Sequence, residues 1–194
     1  MNTRVILHGG NADNGSEKNS QFFTEILNGV DKHEVRVLCV YFARPEGRWE
    51  ESYATDESAF KVHGIEAGKD VETILATYDM DELIKEITKA DVIFINGGYK
   101  GHLKSTLLSI GIEKFKEIVQ GKTLVGISAG ANILSKYYFS MASGGIREGI
   151  GLLKIKLLTH SNDGNASDKL KMLKEYKEDI PIEIVAEEEF IVIE

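Results

Sequence analysis

Basic residues are in the minority in this chain, 23 Lys and Arg against 31 Asp and Glu, which leaves a net charge of −8 over 194 residues. That balance argues against a nucleic-acid or anionic-membrane surface, although it leaves room for a local basic pocket. There is a single cysteine, Cys39. One thiol cannot close an internal disulfide, so nothing points to an oxidising compartment. Its setting in the apolar run "VRVLCVYFA" reads as a buried, inert thiol rather than a reactive one. No apolar run reaches membrane-spanning length, and the stretch after Met1 is too short for a signal peptide, so the expected location is the cytoplasm. Repeats, low-complexity tracts and Pro- or Ser-rich linkers are missing, which predicts one domain over 1–194. No His pair or His/Cys/Asp cluster has metal-ligand spacing, and no cofactor is implied.

What is present is an alternation of short apolar runs and longer amphipathic stretches. "RVILHG", "EVRVLCVYFA", "DVETILATY", "DVIFING", "TLVGIS" and "LLKIKLLTH" read as strands. "SEKNSQFFTEILNGV", "WEESYATDESAFKVHG" and "DMDELIKEITKA" read as helices, the last capped by Asp79. "KGHLKSTLLSI", "IEKFKEIVQ" and "ANILSKYY" also read as helical. Strands apolar on both faces and separated by helices predict a doubly wound α/β fold, with a mostly parallel sheet flanked by helices. Ligands in such folds bind beyond the carboxyl ends of the strands. "HGGN" (8–11), "NGGY" (96–99) and "GISAG" (126–130) all fall there, although Gly-rich turns are common in any α/β protein.

The stretch Gly126-Ile127-Ser128-Ala129-Gly130 fits a nucleophile elbow, a sharp strand-to-helix turn that lifts a serine hydroxyl out of the backbone. Small residues at this point also serve plain packing of a helix on a sheet, so the pattern alone leaves both readings open. A serine nucleophile needs a base. His33 and His63 read as solvated. His8 ends the first strand, where a structural role competes with a site role, and His102 reads as a surface or supporting residue one turn into its helix. His160 ends an apolar strand and precedes the polar "SNDGNASD", with room for one helix and one strand between it and Ser128.

"FINGGYKGHL", "GISAGAN" and "LLTHSN", in that order and spacing, resemble peptidase family S51, the aspartyl dipeptidases (peptidase E) and cyanophycinases. The resemblance spans nearly the whole chain. It implies a class I glutamine-amidotransferase-like fold, a flavodoxin-like three-layer sandwich, with Ser128 as nucleophile and His160 as general base. The oxyanion would be held by the N–H groups of Gly98 and Ala129. Cyanophycinase-like members use a glutamate before the last strand, which corresponds to Glu187, with Glu188 the adjacent alternative. Dipeptidase-E-like members use an aspartate soon after the elbow, where this chain offers only Glu148. Glu189 reads as a solvated charge. Gly97, Asn132, His8 and Arg147 are further candidates for touching substrate or supporting the site. Members that prefer acidic substrates carry arginine near the catalytic histidine; here that segment has Lys169 and Lys171 instead, and lysine lacks the fork that grips a carboxylate.

The expected activity is thus hydrolysis of a small peptide or amide, with a homodimer allowed. The alternative is a catalytically impaired relative that keeps a pocket for a small metabolite or peptide. An α/β-hydrolase esterase ranks below both, because no aspartate lies between Ser128 and His160 and the chain is short for that fold.

Overall fold

Five parallel strands of one six-stranded sheet end at a common carboxyl edge, and this shared edge determines where the chemistry-bearing residues meet. The computed structural model describes residues 3–98, 102–162 and 164–194. In chain order the first half contains β1 (Arg4–His8), α1 (Glu17–Asn28), β2 (Glu34–Val40), α2 (Trp49–Glu66), β3 (Asp70–Leu75), α3 (Met80–Lys89) and β4 (Val92–Ile95). There follow α4 (Leu103–Ile110), α5 (Ile112–Ile118), β5 (Thr123–Ile127), α6 (Ala129–Leu134), β6 (Ser135–Ser140) and β7 (Gly145–Glu148). The chain closes with β8 (Leu153–Thr159), α7 (Ala166–Glu175), β9 (Ile182–Val185) and β10 (Phe190–Ile193).

The first sheet has the order β10-β1-β5-β4-β2-β3, parallel except for β10. Register places Leu7 beside Gly126, Gly126 beside Ile95 and Ile95 beside Val40. The strands are apolar on both faces because helices cover both: Val92, Ile93, Phe94 and Ile95 of β4 are all buried. Phe94 sits at the centre of an aromatic cluster, with ring centroids 5.1 Å from Phe60, 6.2 Å from Phe23 and 6.4 Å from Phe22. Asp79 caps α3 by accepting from the Glu82 N–H at 2.9 Å. The α/β fold with a mostly parallel sheet is the one the sequence predicts.

A second sheet, β7-β6-β8-β9, was not anticipated. The segment "ANILSKYY" is not one helix: α6 stops at Leu134, and β6 begins at Ser135 with alternating burial. Ser135 takes an extended backbone (φ −71°, ψ 166°), and its hydroxyl donates to carbonyls on either side, Asn132 at 2.7 Å and Tyr137 at 3.0 Å. The Tyr-Tyr-Phe run that follows suits a half-buried strand better than a helix. Arg147 lies on strand β7. Three smaller differences also have local causes. Tyr41–Ala43 leave the β2 ladder, with the Arg44 N–H donating to the Tyr41 carbonyl at 2.7 Å. His63 is not solvated but stacks on Phe23, centroids 5.6 Å apart and planes within 6°. His102 stands immediately before α4 rather than a turn into it. Tyr99 and the expected helical residues Lys100 and Gly101 lie outside the described residues. No described helix is long and apolar enough to cross a membrane.

Because Phe94 is fully buried among three other phenylalanines, Phe94→Ala should cost about 3–5 kcal/mol in unfolding free energy by urea denaturation. A loss below about 1 kcal/mol would contradict this account of the core.

Candidate active site

The turn from β5 into α6 carries Ser128 at φ 51°, ψ −108°, a conformation costing an L-residue on the order of 1–3 kcal/mol. It is held from both sides: the Ser128 N–H donates to the His8 carbonyl at 2.9 Å, and the Ser128 carbonyl accepts from the Asn132 N–H at 2.8 Å. The turn also needs Gly130, where a Cβ would lie 2.3 Å from the Ile95 carbonyl oxygen. With this backbone the hydroxyl projects into a cavity of about 600 Å³, lined among others by Gly97, Gly98, Ile127, Ser128 and His160. That volume suits a small ligand.

His160 arrives from the second sheet. Strands β8 and β9 are parallel neighbours with Thr159 beside Val185, so the residues after both strands emerge together. Those are His160 and the segment 186–189. This segment then enters β10, whose amino end lies beside His8 at the carboxyl end of β1. The result is a continuous chain of polar contacts. Ser128 Oγ lies 2.7 Å from His160 Nε2, and His160 Nδ1 lies 3.0 Å from Glu187 Oε1. An ionised carboxylate only accepts, so the Glu187 contact puts the ring proton on Nδ1 and leaves Nε2 to accept from the serine hydroxyl. The ring is about a quarter exposed and the carboxylate somewhat under half.

The three consecutive glutamates have three different partners. Glu188 takes a left-handed backbone (φ 63°), its N–H donates to the Gly10 carbonyl, and its side chain accepts from Asn11 and Asn14. That turn aims it away from the ring. Glu189 pairs with Lys18 and is half-exposed. Glu148 pairs with Lys177, and Arg147 donates to Ser143, so neither is brought to the cavity. Asn132 is buried in α6, where Thr159 donates to it at 3.4 Å, tying the elbow helix to the strand that delivers His160. Gly97 and Gly98 line the cavity, and Ala129 directly follows the serine.

His8 is fully buried behind this arrangement. Its Nε2 faces Asn19 Oδ1 at 3.0 Å, and its Nδ1 accepts from the Gly10 N–H at 3.1 Å, which makes Nε2–H the donor. Gly10, at φ +130°, packs so closely on His160 that a Cβ there would lie 2.3 Å from its Cε1. His8 thus supports the shelf on which the His160 ring rests, without lining the cavity itself. Burial is the main cause that pushes its pKa down from 6.5 to about 4.

Several lining residues are not singled out by the sequence, among them Arg44, Arg48, Ser52 and Asp56, from the loop after β2 and from α2. A usable signal existed, since "ARPEGR" also follows a strand of the parallel sheet. Asn96, beside the glycines of "FINGG", also lines the cavity. Asp56 is buried and accepts from Tyr41 and Asn96, both at 2.7 Å; burial nonetheless raises its pKa from 3.8 to about 6. Among the described residues, no group of three or more His, Cys, Asp or Glu could hold a metal ion.

A doubly wound sheet thus carries a strained serine turn, and the second sheet brings the histidine after β8 to the same cavity. The sequence profile of peptidase family S51 matches residues 5–194, and the chain belongs to that family. Among solved structures it is similar to a peptidase from an acI-B1 Actinobacterium, at 19% identity and TM-score 0.68, covering 100% of this chain and 84% of the other. It is also similar to a candidate peptidase E from Listeria monocytogenes EGD-e, at 23% identity and TM-score 0.64, covering 100% and 95%. At such identities the likeness is one of fold. No curated protein matches the chain.

The buried pair His8 and Asp56 gives opposite pH dependences. The folded pKa of His8 is depressed, so its stability contribution is full above 6.5 and is lost as pH falls toward 4. The folded pKa of Asp56 is raised, so its contribution is full below 3.8 and is lost as pH rises through 6. Between pH 7 and 4.5, His8→Gln should therefore lose less unfolding free energy than the parent, by about 2–3 kcal/mol, and Asp56→Asn should lose more. Urea titrations at the two pH values measure both differences; a His8→Gln variant that tracks the parent would contradict the burial account.

Proposed function

We propose that the chain is a serine-type peptidase or amide hydrolase acting on small peptides. Ser128 is the nucleophile, His160 the general base, Glu187 the carboxylate that orients the imidazole, and the Gly98 and Ala129 N–H groups the oxyanion donors. One observation carries this reading: the unbroken contact chain Ser128 Oγ, His160 Nε2, His160 Nδ1, Glu187 Oε1, opening on the cavity.

In this mechanism Ser128 Oγ attacks the scissile carbonyl carbon while its proton passes to His160 Nε2. The carbonyl π electrons move to oxygen, and the two backbone N–H groups stabilise the resulting oxyanion. Glu187 stabilises the imidazolium without taking its proton. As the C–N bond breaks, Nε2 returns the proton to the leaving amine and an acyl-serine remains. Water, deprotonated by the same ring, then attacks the acyl carbon and releases the acid, restoring the serine. Membership of a peptidase family supports the same reaction class.

The impaired-relative reading expects His160 and a carboxylate to be out of reach of each other; their 3.0 Å contact counts against it. An acidic side chain on the substrate would meet arginine from an unexpected direction. Arg48 lines the cavity with a guanidinium about two-thirds exposed, 3.4 Å from Glu51. Asp13, Glu51 and Asp56 share that lining, so its charge is mixed rather than basic.

Hydrolysis of a panel of dipeptides and aminoacyl p-nitroanilides, with labelling by a serine-directed phosphonate, tests the reading. Ser128→Ala should abolish both turnover and labelling, and labelling that persists would sink it. Among the candidate acids, Glu187→Gln should lower kcat by roughly 10²–10⁴, whereas Glu148→Gln should leave it unchanged. A reversed order would move the acid to the position after the elbow.

A further inference from the structure

Arg44, in the loop after β2, spends three donors inside the protein. Its Nε–H donates to the Gly97 carbonyl at 3.0 Å, Nη1 to Ser52 Oγ at 2.9 Å and Nη2 to Asn96 Oδ1 at 3.0 Å. Asn96 is itself held in one orientation. Its Nδ2 donates to Asp56 Oδ2 at 2.7 Å, and the same oxygen accepts from the Tyr41 hydroxyl at 2.7 Å. A carboxylate that accepts from both groups directs the amide NH₂ of Asn96 toward itself. Asn96 Oδ1 is then turned toward Arg44 and toward the Gly97 N–H at 2.6 Å. Both polar groups of Gly97 are thereby tied to this buried network.

The consequence lies in the next peptide group. A trans peptide points its C=O and the following N–H in opposite directions. In the sheet, β4 lies between β2 and β5. A Gly97 carbonyl drawn toward Arg44, on the β2 side, turns the Gly98 N–H toward the β5 side, where Ser128 stands. The distance is short: a Cβ on Gly97 would lie 3.0 Å from Ser128 Cβ and 3.6 Å from its Oγ. On the other flank a Cβ on Gly98 would lie 2.2 Å from the Ala43 carbonyl oxygen, so only glycine fits between the two loops.

We propose that Arg44 is a positioning residue that locks the Gly97–Gly98 peptide with its N–H facing Ser128, so that an oxyanion donor is built before substrate arrives. This rests on the reading of Ser128 as nucleophile and Gly98 as donor. Without the lock, a Gly-Gly peptide can rotate at little steric cost and offer its carbonyl to the cavity instead. The donor would then be lost in the transition state while ground-state binding is spared, the signature of preorganised electrostatic stabilisation.

The test compares the parent with Arg44→Met, which keeps bulk but no donors, and Arg44→Lys, which keeps the charge but not the fork. The probes are the aminoacyl p-nitroanilide that the parent cleaves best and the aldehyde of the same amino acid, whose serine adduct places an oxyanion at the donors. Arg44→Met should lower kcat roughly 10²–10³-fold with KM within about threefold, and weaken aldehyde inhibition by a similar factor. Arg44→Lys should lower kcat about tenfold or more in the same pattern. If Arg44→Met does not fold, Arg44→Lys carries the test, and Ser52→Ala, which removes only the acceptor at Nη1, should give a smaller kcat loss at unchanged KM. An unchanged kcat, or a loss through KM with aldehyde inhibition intact, overturns the proposal. Failure of the underlying hydrolase reading is seen separately, as a parent without turnover or a Ser128→Ala variant that retains it.

Discussion

A serine backbone at φ 51°, ψ −108° is unfavourable on its own, and most of the site's geometry follows from what keeps it there. Strand β5 is buried on both sides, β1 supplies the His8 carbonyl for the Ser128 N–H, and Gly130 lets α6 begin against the end of β4. The strain is therefore borne by the sheet, whose paired strands cannot shift one without the others. Relaxing the serine would require moving β1, β4 or β5, each rigidly placed by its ladder. The hydroxyl is presented to the cavity as a result of packing.

Around that fixed point, the supporting groups are paired in advance, and all but the half-buried Arg44 are buried. His8 holds Gly10, and Gly10 backs the His160 ring; Arg44, Asn96 and Asp56 hold Gly97. The two titratable members of this support sit on opposite sides of Ser128 and are shifted in opposite senses by the same cause, loss of hydration. Burial keeps the imidazole neutral, so that it can accept from one backbone group, and favours protonation of the carboxyl, against which its two hydrogen bonds act. Such pairs can offset one another in the overall pH dependence of stability while each controls a separate loop.

Local pattern carried a large part of this. The buried strands, the Asp79 cap, the glycine-flanked serine and the strand-end histidine are written in contiguous residues, where hydrophobic period and turn chemistry operate. Residues 135–140 misled because a short apolar-polar segment after a helix start is compatible with either period; only pairing with β7 and β8 decides it. His63 misled for a related reason, since its stacking on Phe23 depends on how α1 and α2 meet. Arg44 was passed over because its importance lies in partners brought close by the order of strands, not by the order of residues.

By itself the sequence determined the fold class, the strand-end placement of Ser128 and His160, and membership of an α/β peptidase family, because each depends on short-range pattern or on motif order. Tertiary structure decided which of the neighbouring glutamates faces the imidazole. Glu187 and His160 meet because β8 and β9 run parallel in register, and Glu188 is turned aside by a left-handed backbone. It also decided that the arginines at the cavity come from the loop beyond β2. A strand-end position marks that loop as a candidate, but which loops share the cavity depends on the neighbours of β4 in the sheet, and those are chosen by burial of the whole core.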